Sequence, residues 1–251
     1  MRAINGEDIY PIIFKRKSVR KFEAAPLDEA ALQKIRTFLT TLRPLFPEIR
    51  TELKFMGADE VKGIFKVNAP HYLAIYSEEK DGYLANAGFL LQQVDLFLPT
   101  LNIGSCWQGG PRPTKEFKGA DGLEFVILLA FGRPAEELFR NSVSEFKRNP
   151  LTSITNISGE DELLEAVRLA PSAVNKQTWY FTRTGDAIHV YAGRGGLIPP
   201  QRLKAIDAGI AMCHLWLAAE NSGRKAEAVV KDPGSTGAPR DYDYIASMIV
   251  K

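Results

Sequence analysis

Arg16-Lys17-Ser18-Val19-Arg20 crowds three cations and a hydroxyl into five residues, with Lys15 and Lys21 on either side. Guanidinium and ammonium groups held that close suit phosphate oxygens, and one irregular turn could aim Arg16, Lys17 and Ser18 at a single anion. The same letters also describe a solvated basic run. Roughly 150 residues later comes Ala170-Pro171-Ser172-Ala173-Val174-Asn175, followed by Gln177 and Trp179. Pro171 disfavours helix at the residue before it. Small residues there let the backbone approach a flat ligand, and Ser172 and Asn175 offer hydrogen bonds; an ordinary helix-to-strand loop is the plain alternative. In Gly104-Ser105-Cys106-Trp107-Gln108-Gly109-Gly110 the glycines permit close approach to backbone donors, or simply make a turn. A last patch, Phe131-Gly132-Arg133-Pro134-Ala135-Glu136 and then Lys147-Arg148-Asn149-Pro150-Leu151, adds a basic pair whose default place is the surface.

Taken in order, these patches resemble the nitroreductase family, FMN-dependent NAD(P)H oxidoreductases in which one subunit brings the basic cluster and its partner brings part of the opposite wall. The resemblance implies Arg16, Lys17 and Ser18 at the FMN phosphate and ribityl oxygens, with Lys147 or Arg148 completing the phosphate site. It implies Arg20 at the N1/C2 edge of the ring, tuning the cofactor's electronics rather than moving a proton. Backbone N–H groups of Gln108, Gly109 or Gly110 would face N5, where hydride enters and leaves. Pro171, Ser172 and Asn175 would lean in from the other side. Thr178 departs from the proline usually found between that glutamine and tryptophan, which touches only the local loop path. The implied activity passes hydride from NAD(P)H through flavin N5 to a small electron-poor acceptor. No side chain stands out as a general acid or base, so no catalytic residue is assigned. A flavin-binding protein without NAD(P)H turnover, or a related flavoenzyme such as a dehalogenase or an oxidase, stays open.

The elements that must position these patches occur twice. Leu32, Ile35, Phe38, Leu39 and Leu42 recur at helical spacing behind Asp28 and Glu29, and Leu163, Leu164, Val167 and Leu169 do so behind Ser158, which with Asp161 resembles a capping box. The strand-like His71 to Ser77 is answered by Ile188 to Ala192, and Gly185-Asp186 joins a hairpin between Trp179 to Thr184 and Ala187 to Ala192. Asn86-Ala87-Gly88 and Asp207-Ala208-Gly209 each lead into an almost wholly apolar helix ending near a glycine, Gly104 or Gly223. Phe125 to Phe131 and Tyr244 to Val250 close each copy as strands. The expectation is an α+β, nitroreductase-like fold of two similar halves, each a mostly antiparallel sheet packed by helices, related by a pseudo-two-fold. Residues 1–132 form the first half, 133–155 the connection and 156–251 the second half. One FMN would sit where they meet, and a monomer would suffice because the chain mimics a dimer.

At 251 residues with 45% hydrophobic side chains the chain can bury a large core, and a net charge of +2 gives no support to a nucleic-acid binder. Cys106 and Cys213 lack paired metal spacing and read as buried free thiols. His71, His189 and His214 are scattered and read as structural. Gly193-Arg194-Gly195-Gly196 reads as a loop, because Pro199-Pro200 intervene before any helix, and no dinucleotide fingerprint is present. Met1 to Asp8 carries no apolar stretch of signal-peptide length, and Phe89 to Leu101 is broken by Gln92, Gln93 and Asp95. A cytoplasmic protein with no membrane partner and no metal is expected.

Overall fold

Asp28 stops a helix from running backward: its side chain accepts a hydrogen bond from Ala31 N at 2.8 Å, and the chain turns helical at the next residue. From there the first half runs α1 (Glu29–Leu39), β1 (Thr51–Gly57), a short β2 (Val61–Lys62), β3 (His71–Ser77), α2 (Tyr83–Phe97), β4 (Gly104–Gln108), a short β5 (Arg112–Pro113) and β6 (Glu124–Gly132). The second runs α3 (Asp161–Arg168), β7 (Trp179–Thr184), β8 (Ala187–Gly193), α4 (Gln201–Asn221), β9 (Ala226–Val229) and β10 (Tyr242–Val250). These elements come from a computed structural model, which describes residues 9–114, 119–230, 234 and 237–251. One antiparallel sheet has the order β1-β3-β6-β4 and the other β7-β8-β10-β9. Leaving aside the two-residue pair β2 and β5, both halves read helix, strand, strand, helix, strand, strand. Equivalent strands take equivalent places in the two sheets, as the α+β reading with two similar halves requires.

Helices α2 and α4 are the shared interior. Every residue from Ala85 to Phe97 is buried, as is every residue from Ile206 to Ala219. A helix apolar all round has no wet face and must be enclosed. The two cross at glycines: a Cβ on Gly88 would stand 2.1 Å from Ile206 O, and one on Gly209 would stand 1.9 Å from Ala85 O. The contact is reciprocal, since Ala85 and Gly88 precede Ile206 and Gly209 by the same interval; a two-fold axis gives a contact of this kind. Beside it, His214 Nδ1–H donates to Ala166 O at 2.8 Å, and its Nε2 lies 3.1 Å from Gln92 Nε2, which donates to it. Burial holds this imidazole at about 3, so it stays neutral and ties α2, α3 and α4 together. All three histidines are partnered this way, His71 Nε2 accepting from Leu27 N and His189 Nδ1 sitting 2.7 Å from Ser247 Oγ.

Three local expectations are corrected. The N-cap of α3 is Glu160, with no side-chain cap bond, so Ser158 does not open that helix; the Asp161 side chain lies outside the described residues. Glu160 is instead taken by Arg183 and Arg224. Gly104 does not end α2, because the chain tightens into a short turn over Leu98–Leu101 and reverses at Asn102, whose φ is 56°. Ile103 N then bonds Leu98 O at 3.1 Å. Gly223, with φ 78°, does end α4: its N–H reaches Glu220 O and that of Arg224 reaches Ala219 O, the paired bonds of a Schellman turn. Finally, Gly104 to Gln108 is a strand rather than a turn, paired with β6 from Gly104↔Gly132 to Gln108↔Leu128. Both cysteines are free and buried. Among the described residues no helix is long and apolar enough to cross a membrane, and no group of His, Cys, Asp and Glu is arranged to hold a metal ion. The expectation about Met1 to Asp8 lies outside the described residues.

Candidate functional site

The basic cluster is laid down as an extended segment clamped on two sides. Val19 N donates to Ser105 O on β4 at 2.9 Å, and Gly104 is glycine because a Cβ there would meet the Val19 side chain at 2.7 Å. On the other side, residues 133–140 run antiparallel to it through Glu23 N to Arg133 O, Ala135 N to Lys21 O and Arg140 N to Lys15 O, with a bridge at Arg16↔Phe139. The connection between the halves therefore forms part of the site.

A cleft of about 490 Å³ opens where this segment faces the loop after α3, within the size range of small-molecule sites. Its walls are Arg16, Lys17, Ser18 and Arg20 from the cluster, Glu136, Arg140 and Glu145 to Arg148 from the connection, and Pro171, Ser172, Val174 and Asn175 from the second half. Nine of the expected residues thus meet: Arg16, Lys17, Ser18, Arg20, Lys147, Arg148, Pro171, Ser172 and Asn175. Gln108, Gly109 and Gly110 are not in this wall. They lie at the far end of β4, where the Gln108 side chain accepts from Val67 N at 2.9 Å and Gly109 and Gly110 back onto Leu203 and Ile64. Cys106, midway along β4, is close enough for the Arg20 and Arg16 charges to act on its thiol, although burial dominates and pushes it up.

Electrostatics mark the cleft as a place for an anion. Six cations line it, Arg16, Lys17, Arg20, Arg140, Lys147 and Arg148, against only Glu136 and Glu145. Burial, then the Arg16 charge, brings Arg140 down to about 10; burial, then Arg16, Arg140 and Arg168, brings Arg148 down to about 9. The downward direction marks positive charge that is crowded and poorly solvated, and a phosphate among these guanidinium groups would offset both. Burial works to raise the Glu136 carboxyl, but the N–H groups of Arg20 and Lys21 and the charges of Lys17 and Lys21 outweigh it and leave it lowered.

The cations are not equally free. Arg16 is 1% exposed; its Nε lies 3.0 Å from Asp95 Oδ2, an ion contact without hydrogen-bond alignment, and its Nη2 donates to Ser18 Oγ at 3.3 Å. Asp95 is fully buried on α2 and also accepts from Ser105 Oγ at 2.6 Å. Arg140 donates to the Arg16 carbonyl, and Arg148 to Leu169 O, Phe146 O and Asn175 Oδ1. Asn175 Nδ2 donates to Lys147 O at 3.0 Å, and Gln177 accepts from Asn149 N and donates to Arg168 O, so both sew the connection to the second half.

Backbone strain concentrates on this wall. Of the six non-glycine residues described at positive φ, four are Lys147, Val174, Asn175 and Gln177. A β-branched residue such as Val174, at φ 47°, rarely stays there unless its surroundings force it, and such positions cluster at ligand sites.

Two contributors were not apparent in the sequence. Arg140 sits in a stretch without motif and reaches the cleft through the antiparallel bridge. Asp207 is 4% exposed on α4 and accepts from Ala173 N at 3.1 and 3.0 Å through its two oxygens. Burial pushes it up to about 8 from 3.8, the Ala173 N–H opposing only in part. A carboxyl raised in the folded state contributes stability that is whole below 3.8 and is lost as pH rises through about 8. Asp207→Asn is therefore expected to raise the melting temperature at pH 9 and leave it near wild type at pH 4, read by thermal melts across that range. Equal shifts at both pH values would refute the assignment.

The chain matches the family model described as "Putative TM nitroreductase" over residues 8–219, and it belongs to that family of nitroreductases. Its fold matches the crystal structure of a "putative nitroreductase" from Thermotoga maritima MSB8 with a TM-score of 0.64 at 21% identity, covering 99% of this chain and 95% of that one. A nitroreductase family protein from Clostridium difficile 630 gives 0.48 at 17% identity, covering 62% of this chain and 98% of that one. An FMN-dependent nitroreductase from Clostridium difficile R20291 gives 0.42 at 17%, covering 53% and 91%. No curated protein matches. Family membership supports a general oxidoreductase role.

Proposed function

We propose that this protein is an FMN-dependent oxidoreductase that takes electrons from NAD(P)H and hands them to a small electron-poor acceptor. The observation that carries the reading is the cleft whose six cations face only two carboxylates, Glu136 and Glu145. Lys17, Ser18, Arg140, Lys147 and Arg148 would hold the phosphate, and Arg16, tied to Asp95, would add its charge and orient Ser18. Arg20 would stand at the ring's electron-rich edge, and the Gln108 to Gly110 backbone would approach the other end. Bound FMN supplies two-electron transfer at its N5. The chain's own part is to bind, orient and tune, because among the described residues the carboxylates in the wall are Glu136 and Glu145.

The same reading gives one flavin per chain. The counterpart of the cleft, at the loop after α1, is a hollow of about 310 Å³ lined by Arg43, Pro44, Leu45, Phe89, Trp216 and Met248 among others. Trp216 stands there 121 positions after Asp95, and Arg43 is paired with Glu220 at 2.7 Å. No cation excess remains for a phosphate. We read the halves, divided near 132 and 156, as related copies of which one kept the site, and the monomer as competent. Anaerobic titration of the yellow protein with NADH and with NADPH should bleach one equivalent of FMN per chain, with activity per chain unchanged on dilution to nanomolar protein. Colourless protein that takes up no FMN would end the reading; bound FMN that neither nicotinamide bleaches would favour a flavin protein without this turnover.

A further inference from the structure

We propose that Asp207 is a positioning residue for the cleft: its carboxyl grips the Ala173 N–H and so fixes the Ser172–Gln177 loop in the shape that forms the second-half wall. The inference deepens the FMN reading and rests on it. The loop is a single short turn held in a strained shape, with Val174, Asn175 and Gln177 all at positive φ. Its internal ties are those of the turn, Asn175 N to Ser172 O at 3.0 Å and Lys176 N to Ala173 O at 3.2 Å, and Gln177 N to Ser172 Oγ at 2.9 Å; its outward ties through Asn175 and Gln177 go to the backbone of residues 147, 149 and 168 and to the Arg148 side chain. Asp207 links it to the central helix, at the residue between cleft-lining Ser172 and Val174. A backbone donor held from the rigid interior in this way resists the drift that strained residues would otherwise undergo.

The fold repeats the device. Asn86, 121 positions earlier on α2, accepts through Oδ1 from Leu45 N at 2.8 Å and from Phe46 N at 3.0 Å, on the loop after α1. Both side chains are buried and both hold the loop that follows the first helix of their half. An amide does on one side what a carboxyl does on the other, so the task is to accept a hydrogen bond. A negative charge is not needed, and burial of Asp207 disfavours one. Only the Asp207 loop adjoins the cation-rich cleft, so Asn86 provides an internal control.

The test compares full-length Asp207→Leu, Asp207→Asn and Asn86→Leu. Leucine removes the acceptor while filling the space, which favours survival of the fold. In FMN-free protein, amide exchange at Ala173 should quicken by about tenfold or more in Asp207→Leu and stay slow in the other two. FMN affinity should fall by about tenfold in Asp207→Leu and remain near wild type in Asp207→Asn and Asn86→Leu. Unchanged Ala173 exchange in Asp207→Leu overturns the proposal, as does an equal loss of FMN affinity in Asn86→Leu. If Asp207→Leu does not fold, loss of Ala173 protection in Asp207→Asn overturns it, and retained protection and affinity uphold it. Wild-type protein that binds no FMN would sink the flavin reading, and the exchange arm would still judge the grip on the loop.

Discussion

Arg16→Met is expected to lower the unfolding free energy by about 3–5 kcal/mol, the cost of leaving a buried ion partner alone. Arg16 and Asp95 are 1% and 0% exposed, and among the described residues Asp95 otherwise accepts from the Ser105 hydroxyl at 2.6 Å. A solvated basic run would show no such loss, because exposed pairs contribute about 0–1 kcal/mol. Arg16→Met combined with Asp95→Leu should recover most of the stability, since no buried charge is then left unpaired. Urea unfolding of FMN-free protein measures both, and a single variant that unfolds at the wild-type midpoint would show that the pair holds nothing. The double variant then isolates the ligand effect: a stable protein that has lost FMN affinity locates the Arg16 charge at the phosphate.

Gly209→Ala should be nearly as damaging, costing about 3 kcal/mol or more. The new methyl would fall 1.9 Å from Ala85 O and 2.6 Å from Ala85 C, which are backbone atoms of a buried helix and cannot swing away. Helices α2 and α4 would have to separate, loosening the enclosure that both sheets share. Gly88→Ala meets Ile206 O at 2.1 Å and should cost a similar amount, because the crossing is reciprocal. Thermal melts of the two variants check this; a wild-type melting temperature for either would mean that the helices pass less closely than described.

Much of this was written locally in the chain. The composition of β3 and β8 and the apolar runs of β6 and β10 marked them as strands, and Gly185-Asp186 marked the hairpin. Two helices apolar on every side could only be interior. What was missed depends on partners far away in sequence. Strand β4 carries Gly104, Ser105 and Gln108, poor strand formers, and is held extended by pairing with β6. Strands β1 and β9 show no clear alternation, their residues being nearly all half-buried. At the site, the two clusters that carry the nitroreductase resemblance were legible and do face one cleft. Arg140 was not, because an antiparallel bridge places it rather than its neighbours. Asn175 and Gln177 stand in family register, yet their side chains join the connection to the second half. Asp207 lay inside a visible echo, Asn86-Ala87-Gly88 against Asp207-Ala208-Gly209, whose meaning needed the loops that each first residue holds.

With both halves on one polypeptide, a mutation is felt once rather than twice. In a pair of identical subunits, the acid at position 95 would be matched by an acid in its mate, and an indole could enter one mouth only by entering both. Here Asp95 anchors an arginine while Trp216, in the corresponding seat, lines a greasy hollow. The molecule is thus free to age unevenly, because a change at one mouth leaves the other as it was.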